Sequence, residues 1–114
     1  MNRTGATAEA LAVAFLRQQG LDILAQNWRC RFGEIDIIAR DGSCVVFVEV
    51  RKRSNLRYGG AASSITSAKM KKLVATAEHY LSTLPRTPAC RFDAILFEGD
   101  QAIEWIKNAF QAGG

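Results

Sequence analysis

The stretch GEIDIIARDGSCVVFVEVRKR, residues 33–53, limits the fold more than any other part of the chain. Two runs rich in β-branched residues, GEIDIIAR (33–40) and CVVFVEVR (44–51), flank the polar segment Asp41-Gly42-Ser43. Such runs fit a pleated, half-buried surface, and Asp-Gly between them is a strong hairpin signal. An antiparallel hairpin is therefore expected. It carries Glu34, Asp36 and Glu49 within its strands, and charge inside a sheet is costly unless it is paired or holds a metal.

The remaining segments read as elements arranged around that hairpin. Residues 6–19 are expected as a helix, with Ala8, Leu11, Ala12, Phe15 and Leu16 on a broad apolar arc and Gly20 as its C-terminal cap. LDILAQNW (21–28) is a short strand of imperfect alternation. SNLRYGGAASS (54–64) is polar and glycine-rich, the composition of a loop. A second helix starts after Thr66 or Ser67, with Met70, Leu73, Val74, Ala77, Leu81 and Leu84 on one side and Lys69, Lys72 and His79 on the other. Pro85 and Pro88 end it. RFDAILFE (91–98) and QAIEWI (101–106) are strands joined at Gly99-Asp100, and 107–114 is expected as a frayed tail. The order α-β-β-β-α-β-β, with hairpins early and a crossover late, predicts a mixed sheet flanked by helices, an α/β sandwich.

At 114 residues the chain is expected to form a single domain, with its core over about residues 5–106. A net charge of +4 is a mild excess, compatible with a polyanionic partner without requiring one. Cys30, Cys44 and Cys90 form no CxxC pair, and His79 is the one histidine, which argues against a zinc site or a disulfide framework. The run ALAVAFL (10–16) lies between Glu9 and Arg17 and lacks a small-residue cleavage site, unlike a signal peptide. No segment approaches the roughly 18–20 apolar residues of a membrane span, so the expected location is the cytoplasm.

Strand alternation points Glu34 and Asp36 one way, and Glu49 and Arg51 one way. A two-residue turn at Asp41-Gly42 would set Glu34 opposite Glu49. A four-residue loop, 41–44, would set Asp36 opposite Glu49 and Glu34 opposite Arg51. Either register gathers three carboxylates and a guanidinium within roughly 5–8 Å of one another. A three-residue loop without a bulge would split them between faces. Carboxylates so placed repel and raise each other's pKa unless a cation lies between them. With a backbone carbonyl and water they make a cage suited to Mg²⁺ or Mn²⁺, which could activate water against a phosphodiester. Glu9 is in line with Ala12, Val13 and Leu16, at the margin of the buried stripe, where it could overhang the same patch. The bland alternative is that these acids are the solvated face of a half-exposed sheet, with Glu49 and Arg51 a weak surface pair.

Lys69, Lys71 and Lys72, near a helix start and beside Arg51-Lys52-Arg53 and Arg57, read either as a solvated face or as a phosphate-binding set. Asp93 reads as structural, satisfying a backbone donor or balancing Arg91. His79 reads as a surface or hydrogen-bonded residue, and Trp28 and Trp105 as core or rim packing.

The series Gly5-xxx-Glu9-xx-Ala12, GLDIL, QNWRC, GEIDIIARDG, FVEVRKR, Ile65-xxx-Lys69 and RFDAI resembles the YraN-like family of small bacterial proteins, over about residues 5–97. The resemblance implies the restriction-endonuclease-like fold of the PD-(D/E)XK superfamily, which includes Holliday junction resolvases and has an αβββαβ core. It also implies residue roles. Asp36 matches the metal-binding aspartate of the second strand, and Glu49 the acidic position of (D/E)XK on the third. The Val50 carbonyl would complete the inner shell. Glu9 matches a first-helix glutamate of the resolvase-like branch, and Glu34 would be an outer ligand. Arg51 departs from the pattern, which has lysine there. Arginine stays protonated, so it can stabilise a phosphate but is a poor base. Lys52 faces the other way along the strand.

Three readings follow. The first is a metal-dependent endonuclease acting on branched or single-stranded DNA, with Mg²⁺ or Mn²⁺ as cofactor. Its catalytic set is Asp36, Glu49, Arg51, Glu9 and Glu34, and Lys52, Arg53, Arg57, Lys69 and Lys72 guide the backbone along with Arg51. The second is a non-catalytic nucleic-acid-binding module on a nuclease scaffold, serving DNA uptake, recombination or repair. The third is a protein-interaction module that uses a sheet edge or the loop 54–64. A homodimer would suit a resolvase-like nuclease.

Overall fold

The computed structural model describes residues 5–52, 66–98 and 101–110. The expected loop 54–64 and the turn at Gly99-Asp100 lie outside the described residues, as do Arg53 and Arg57. The elements run α1 (Gly5–Gln18), β1 (Asp22–Cys30), β2 (Gly33–Asp41), β3 (Cys44–Lys52), α2 (Ser67–Ser82), β4 (Cys90–Glu98) and β5 (Gln101–Phe110). All five strands form one sheet in the order β1-β2-β3-β4-β5. β3 and β4 pair in parallel and every other pair is antiparallel. A parallel neighbour needs a long crossover, and α2 lies in it. The mixed sheet with two flanking helices is the α/β architecture that the alternating patterns imply.

Local chemistry sets the ends of the helices. α1 stops at Gly20, whose φ of 91 suits a residue without a Cβ. There Leu21 N–H donates to the Leu16 carbonyl and Gly20 N–H to that of Arg17, the two bonds of a Schellman motif. Of the two candidate caps for α2, Thr66 is the one used, its Oγ1 accepting from Lys69 N–H at 3.2 Å.

The β2–β3 turn is centred one residue later than the Asp-Gly pair suggests. Asp41 pairs with Cys44, and the ladder runs through Arg40–Val45, Ala39–Val46, Ile38–Phe47 and Ile37–Val48. Gly42 takes the positive φ, 62, at the first central position of a two-residue turn. This is the register that the four-residue alternative gives, with Asp41 and Cys44 drawn into the ladder.

That register sends Val46 and Val48 to the α1 side, where they pack with Ala12, Val13, Leu16, Ile37, Ile95 and Phe97. Val45 and Phe47 go to the α2 side with Ile38, Leu73, Ala77 and Phe92. Glu49 has the parity of Phe47, so it lies beneath α2. Ala25 and Trp28, with their partners Ile38 and Ile35, all pack on the α2 side, although a spacing of three should reverse faces. β1 and β2 therefore twist together at Asn27, whose φ is 50, and at Asp36 opposite it.

Two expectations at the C-terminal end are corrected. The last strand reaches Phe110, which pairs with Phe92, so residues 107–110 are strand and not a frayed tail. The cause is Asp93, 1% exposed, whose carboxylate accepts from Asn108 N–H at 2.9 Å and from Trp105 Nε1 at 2.9 Å. The same carboxylate accepts from Arg91 Nε at 3.0 Å, in line with the structural role expected of it. No described helix is long and apolar enough to cross a membrane.

Candidate functional site

The hairpin ladder sets the geometry of the site. Hydrogen-bonded pairs alternate from Asp41–Cys44, so an unbroken ladder would next join Val50 to Ile35. Instead Val50 N–H donates to Asp36 Oδ2 at 2.8 Å. β2 and β3 diverge there, and a carboxylate caps the strand donor left by the divergence. A strand residue that exchanges both bonds with one neighbour directs its N–H and C=O to the same edge. The Val50 carbonyl accordingly faces the fork as well.

Glu49 lies beside Asp36 and is buried, at 6% exposure. Burial pushes the Asp36 carboxyl up first, and the adjacent Glu49 adds to the rise by a hydrogen bond and by charge, to a pKa of about 8. Burial also opposes the charge on Glu49, but the bond from Asp36, the Lys69 ammonium and the Arg51 guanidinium together outweigh it and hold its pKa down. At neutral pH one proton is shared by the pair, with Glu49 as the anion.

Lys69 Nζ lies 2.8 Å from Glu49 Oε2, and Arg51 Nη2 lies 3.5 Å from the same oxygen. Oε2 and Arg51 Nε are both buried without a directed hydrogen bond among the described residues. They are held by charge, and a directed contact at either atom would be a gain.

Asp36 and Glu49 open into a cleft of about 440 Å³, also lined by Gly33, Glu34, Thr66, Lys69 and Lys72. The start of α2 borders it, so the positive end of that helix faces the cleft. Gly33 brings β2 close to α2: a Cβ there would lie 3.1 Å from Thr76 Oγ1, and its φ of 152 is one that side chains avoid.

Asp36, Glu49 and Arg51 thus meet, as expected, with Val50 between the latter two. Glu9 is near enough that its charge adds to the rise at Asp36. Glu34 lines the cleft but is drawn sideways by Arg29, whose Nε lies 2.8 Å from Glu34 Oε2. All three carboxylates border the cleft, but only Asp36 and Glu49 pair with each other, Glu34 being taken up by Arg29. Among the described residues no group of three His, Cys, Asp or Glu side chains is placed as a metal-binding set. Lys72 lines the cleft, and Lys52 ends β3 in an exposed position.

Two features escape the sequence patterns. Lys69 reads there as a backbone guide, yet it is the cation on Glu49. Thr76 is fully buried and donates to the Lys72 carbonyl at 2.7 Å, although helical periodicity of apolar residues passes over it. The Ile65-xxx-Lys69 spacing was the available signal for the first, and nothing marked the second.

The fold and the cleft define a small mixed α/β protein with an acidic pair, Glu49 buried and Asp36 half-buried, beside a lysine-bearing helix. The family model described as "Uncharacterised protein family UPF0102" matches residues 8–97, and the chain belongs to that family, the YraN-like proteins. It is similar to a UPF0102 protein of Nitrosomonas eutropha, 57% identical over 109 residues, covering 96% of this chain and 94% of the relative. It is also similar to a UPF0102 protein of Methylobacillus flagellatus, 54% identical over 114 residues, covering 98% of this chain and all of the relative (100%).

Proposed function

We propose that the protein is a divalent-metal-dependent nuclease-like protein that holds DNA phosphates in the cleft between β2, β3 and α2. The observation that carries this is the Asp36–Glu49 pair, a half-buried carboxyl beside a buried one at the fork of two strands, opening into a cleft bordered by Lys69 and Lys72. A structural carboxylate pair would gain nothing from being crowded until one member keeps its proton at neutral pH. The order of α1 through β4 is the αβββαβ order of the restriction-endonuclease-like core, which supports placing the domain in that superfamily.

The donor set suits Mg²⁺ or Mn²⁺. Asp36, Glu49 and the Val50 carbonyl are hard oxygen donors on one edge, and Glu49 Oε2 lacks a directed hydrogen bond among the described residues. When bound, such an ion supplies water activation and neutralisation of phosphate charge.

The chain's own groups have separable tasks. Lys69, anchored by the first turn of α2, neutralises Glu49 and is placed to pass to a phosphate oxygen. Arg51 stabilises phosphate charge and, being always protonated, does not act as a base. The open end of α2 and Lys72 draw the backbone in. Glu9 and Glu34 orient water from the rim.

A second reading, DNA binding without hydrolysis, is favoured by Arg51 where the superfamily pattern has lysine. One experiment separates the two. Purified protein is incubated with junction, flap and single-stranded DNA in Mg²⁺ and in Mn²⁺, beside its Asp36→Ala variant. Cutting that depends on Asp36 supports the nuclease. Salt-sensitive binding without cutting supports the second reading, and cutting that survives Asp36→Ala refutes the assigned site.

A further inference from the structure

The turn between β1 and β2 exposes an aromatic side chain that belongs to none of the core clusters among the described residues. Phe32 is 38% exposed, one of only two large apolar side chains so exposed among the described residues. Its ring lies 6.0 Å from that of His79, which in turn lies 5.8 Å from Trp28. The Arg31 guanidinium sits 4.8 Å from the centre of the Phe32 ring, so a planar group already rests on that face.

The position of this platform gives it a role. Gly33 follows Phe32 directly and lines the cleft, and it runs so close to α2 that a Cβ there would meet Thr76 and Lys72. Lys69, Lys72, Thr76 and His79 are spaced by three, four and three, so they form one stripe along α2. The stripe links the Glu49 contact to the Phe32 ring, with Thr76 at its middle buried beneath Gly33. From Lys69 to His79 the ten rises of the helix span about 15 Å, or about four steps of a stacked strand at ~3.4 Å per step. Lys69 and Lys72 lie at the cleft end and Arg31 at the ring end, so cations flank both ends of that distance. An aromatic ring at the end of a cationic track is the arrangement that holds unpaired bases, because every base offers a π-face.

We infer that Phe32 and His79 form a stacking subsite for an unpaired base, so that the cleft takes single-stranded DNA in preference to an intact duplex. The base replaces the Arg31 guanidinium on Phe32, and Arg31 turns to the adjoining phosphate. A paired base has both faces covered by its neighbours in the stack and cannot use the ring. The inference rests on the reading of the cleft as a DNA phosphate site, and it adds the strandedness of the substrate.

The test is fluorescence anisotropy with a labelled twelve-residue thymidine oligonucleotide and with a duplex of equal length, in Mg²⁺-free buffer so that no strand is cut. Phe32→Ala is expected to weaken single-strand binding by about fivefold to a hundredfold, the range for one stacked base, and to leave duplex binding within about twofold. Its dependence on salt should match the wild type, because no phosphate contact is lost, whereas Lys72→Ala should flatten the salt slope by about 0.7. Phe32→Trp should restore single-strand affinity, which separates stacking from any effect on folding. Equal binding by wild type and Phe32→Ala, or equal loss on single strand and duplex, overturns the stacking subsite while leaving the phosphate site standing. If the wild type binds neither DNA, both readings fall.

Discussion

Lys69 sets its ammonium 2.8 Å from Glu49 Oε2, so a residue from the first turn of α2 neutralises a carboxylate that β3 buries. Arg51, two residues from Glu49 on the same strand, is farther from that oxygen, at 3.5 Å. The fold thus brings the lysine of this site from a helix, where the strand itself supplies only an arginine. Thr66 fixes the arrangement, since its cap on Lys69 N–H determines where α2 begins.

Replacing Lys69 should therefore be felt in stability and in any cleavage. Lys69→Ala leaves Glu49 buried with Arg51 as its remaining cation. Breaking a fully buried pair costs roughly 3–5 kcal/mol. Lys69 is 40% exposed, so solvent reduces this, and about 1–2 kcal/mol is expected in urea denaturation at pH 7. Lys69→Arg should recover most of the stability. A loss below a few tenths of a kcal/mol would mean that Arg51 alone suffices.

The carboxyl pair predicts a pH dependence with a definite sign. Asp36 is raised to about 8 in the folded protein, against 3.8 ordinarily. The folded state thus keeps a proton that the unfolded chain releases, so the penalty is absent below about pH 4 and grows as pH climbs towards 8. Glu49, held below its ordinary value, works in the opposite sense over a lower range. Asp36→Asn keeps an acceptor for Val50 N–H and gives Glu49 a permanent donor. It should stabilise the protein at pH 8 by on the order of 1–3 kcal/mol and have little effect at pH 4. Urea midpoints at the two pH values check this, and stabilisation that is equal at both would contradict the shared proton.

The hairpin and its register class were legible because β-branched alternation and a glycine turn act over short distances. So was the element order. The exact centre of the turn was not, since Asp41-Gly42 and Gly42-Ser43 both satisfy local turn chemistry and registers two residues apart put the same side chains on the same faces. Glu34 and Asp36 both border the cleft, as strand alternation implies, but Arg29 takes up Glu34, and that contact exists only through the pairing of β1 with β2. Lys69 was legible as a cation near a helix start. Its partner was not, because Glu49 is twenty residues away in sequence and meets it only when the crossover is closed.

Divalent cations provide a third test. Oxygen ligands must shed their protons, so affinity for Mg²⁺ or Mn²⁺ should rise between pH 6 and pH 8 as Asp36 ionises. At a hundredfold excess over the dissociation constant, a bound ion stabilises the fold by about 2.7 kcal/mol. Thermal unfolding at pH 8 should then shift upward with Mn²⁺ for the wild type and remain fixed for Asp36→Asn and Glu49→Gln. Calorimetry in two buffers of different ionisation enthalpy should reveal proton release of up to one per ion. An identical shift in the wild type and both variants would place cation binding elsewhere.

Asp93 provides a prediction independent of the cleft. Its carboxylate receives Arg91 Nε, Trp105 Nε1 and Asn108 N–H, and so ties β4 to β5 while remaining 1% exposed. Asp93→Ala leaves a guanidinium, an indole N–H and a backbone N–H without their acceptor, and each lost partner costs about 1–3 kcal/mol when it stays dry. Water reaches Arg91 and the indole in part, so a total of about 3–5 kcal/mol is expected. Asp93→Asn should be intermediate, because one amide oxygen cannot serve three donors spread over two carboxylate oxygens. β5 should loosen first, with Trp105 emission shifting red before the rest of the sheet unfolds. Hydrogen exchange at Asn108 N–H would report the same event, faster in both variants. Protection at Asn108 equal to that of the wild type would show that β5 holds its register through strand pairing alone.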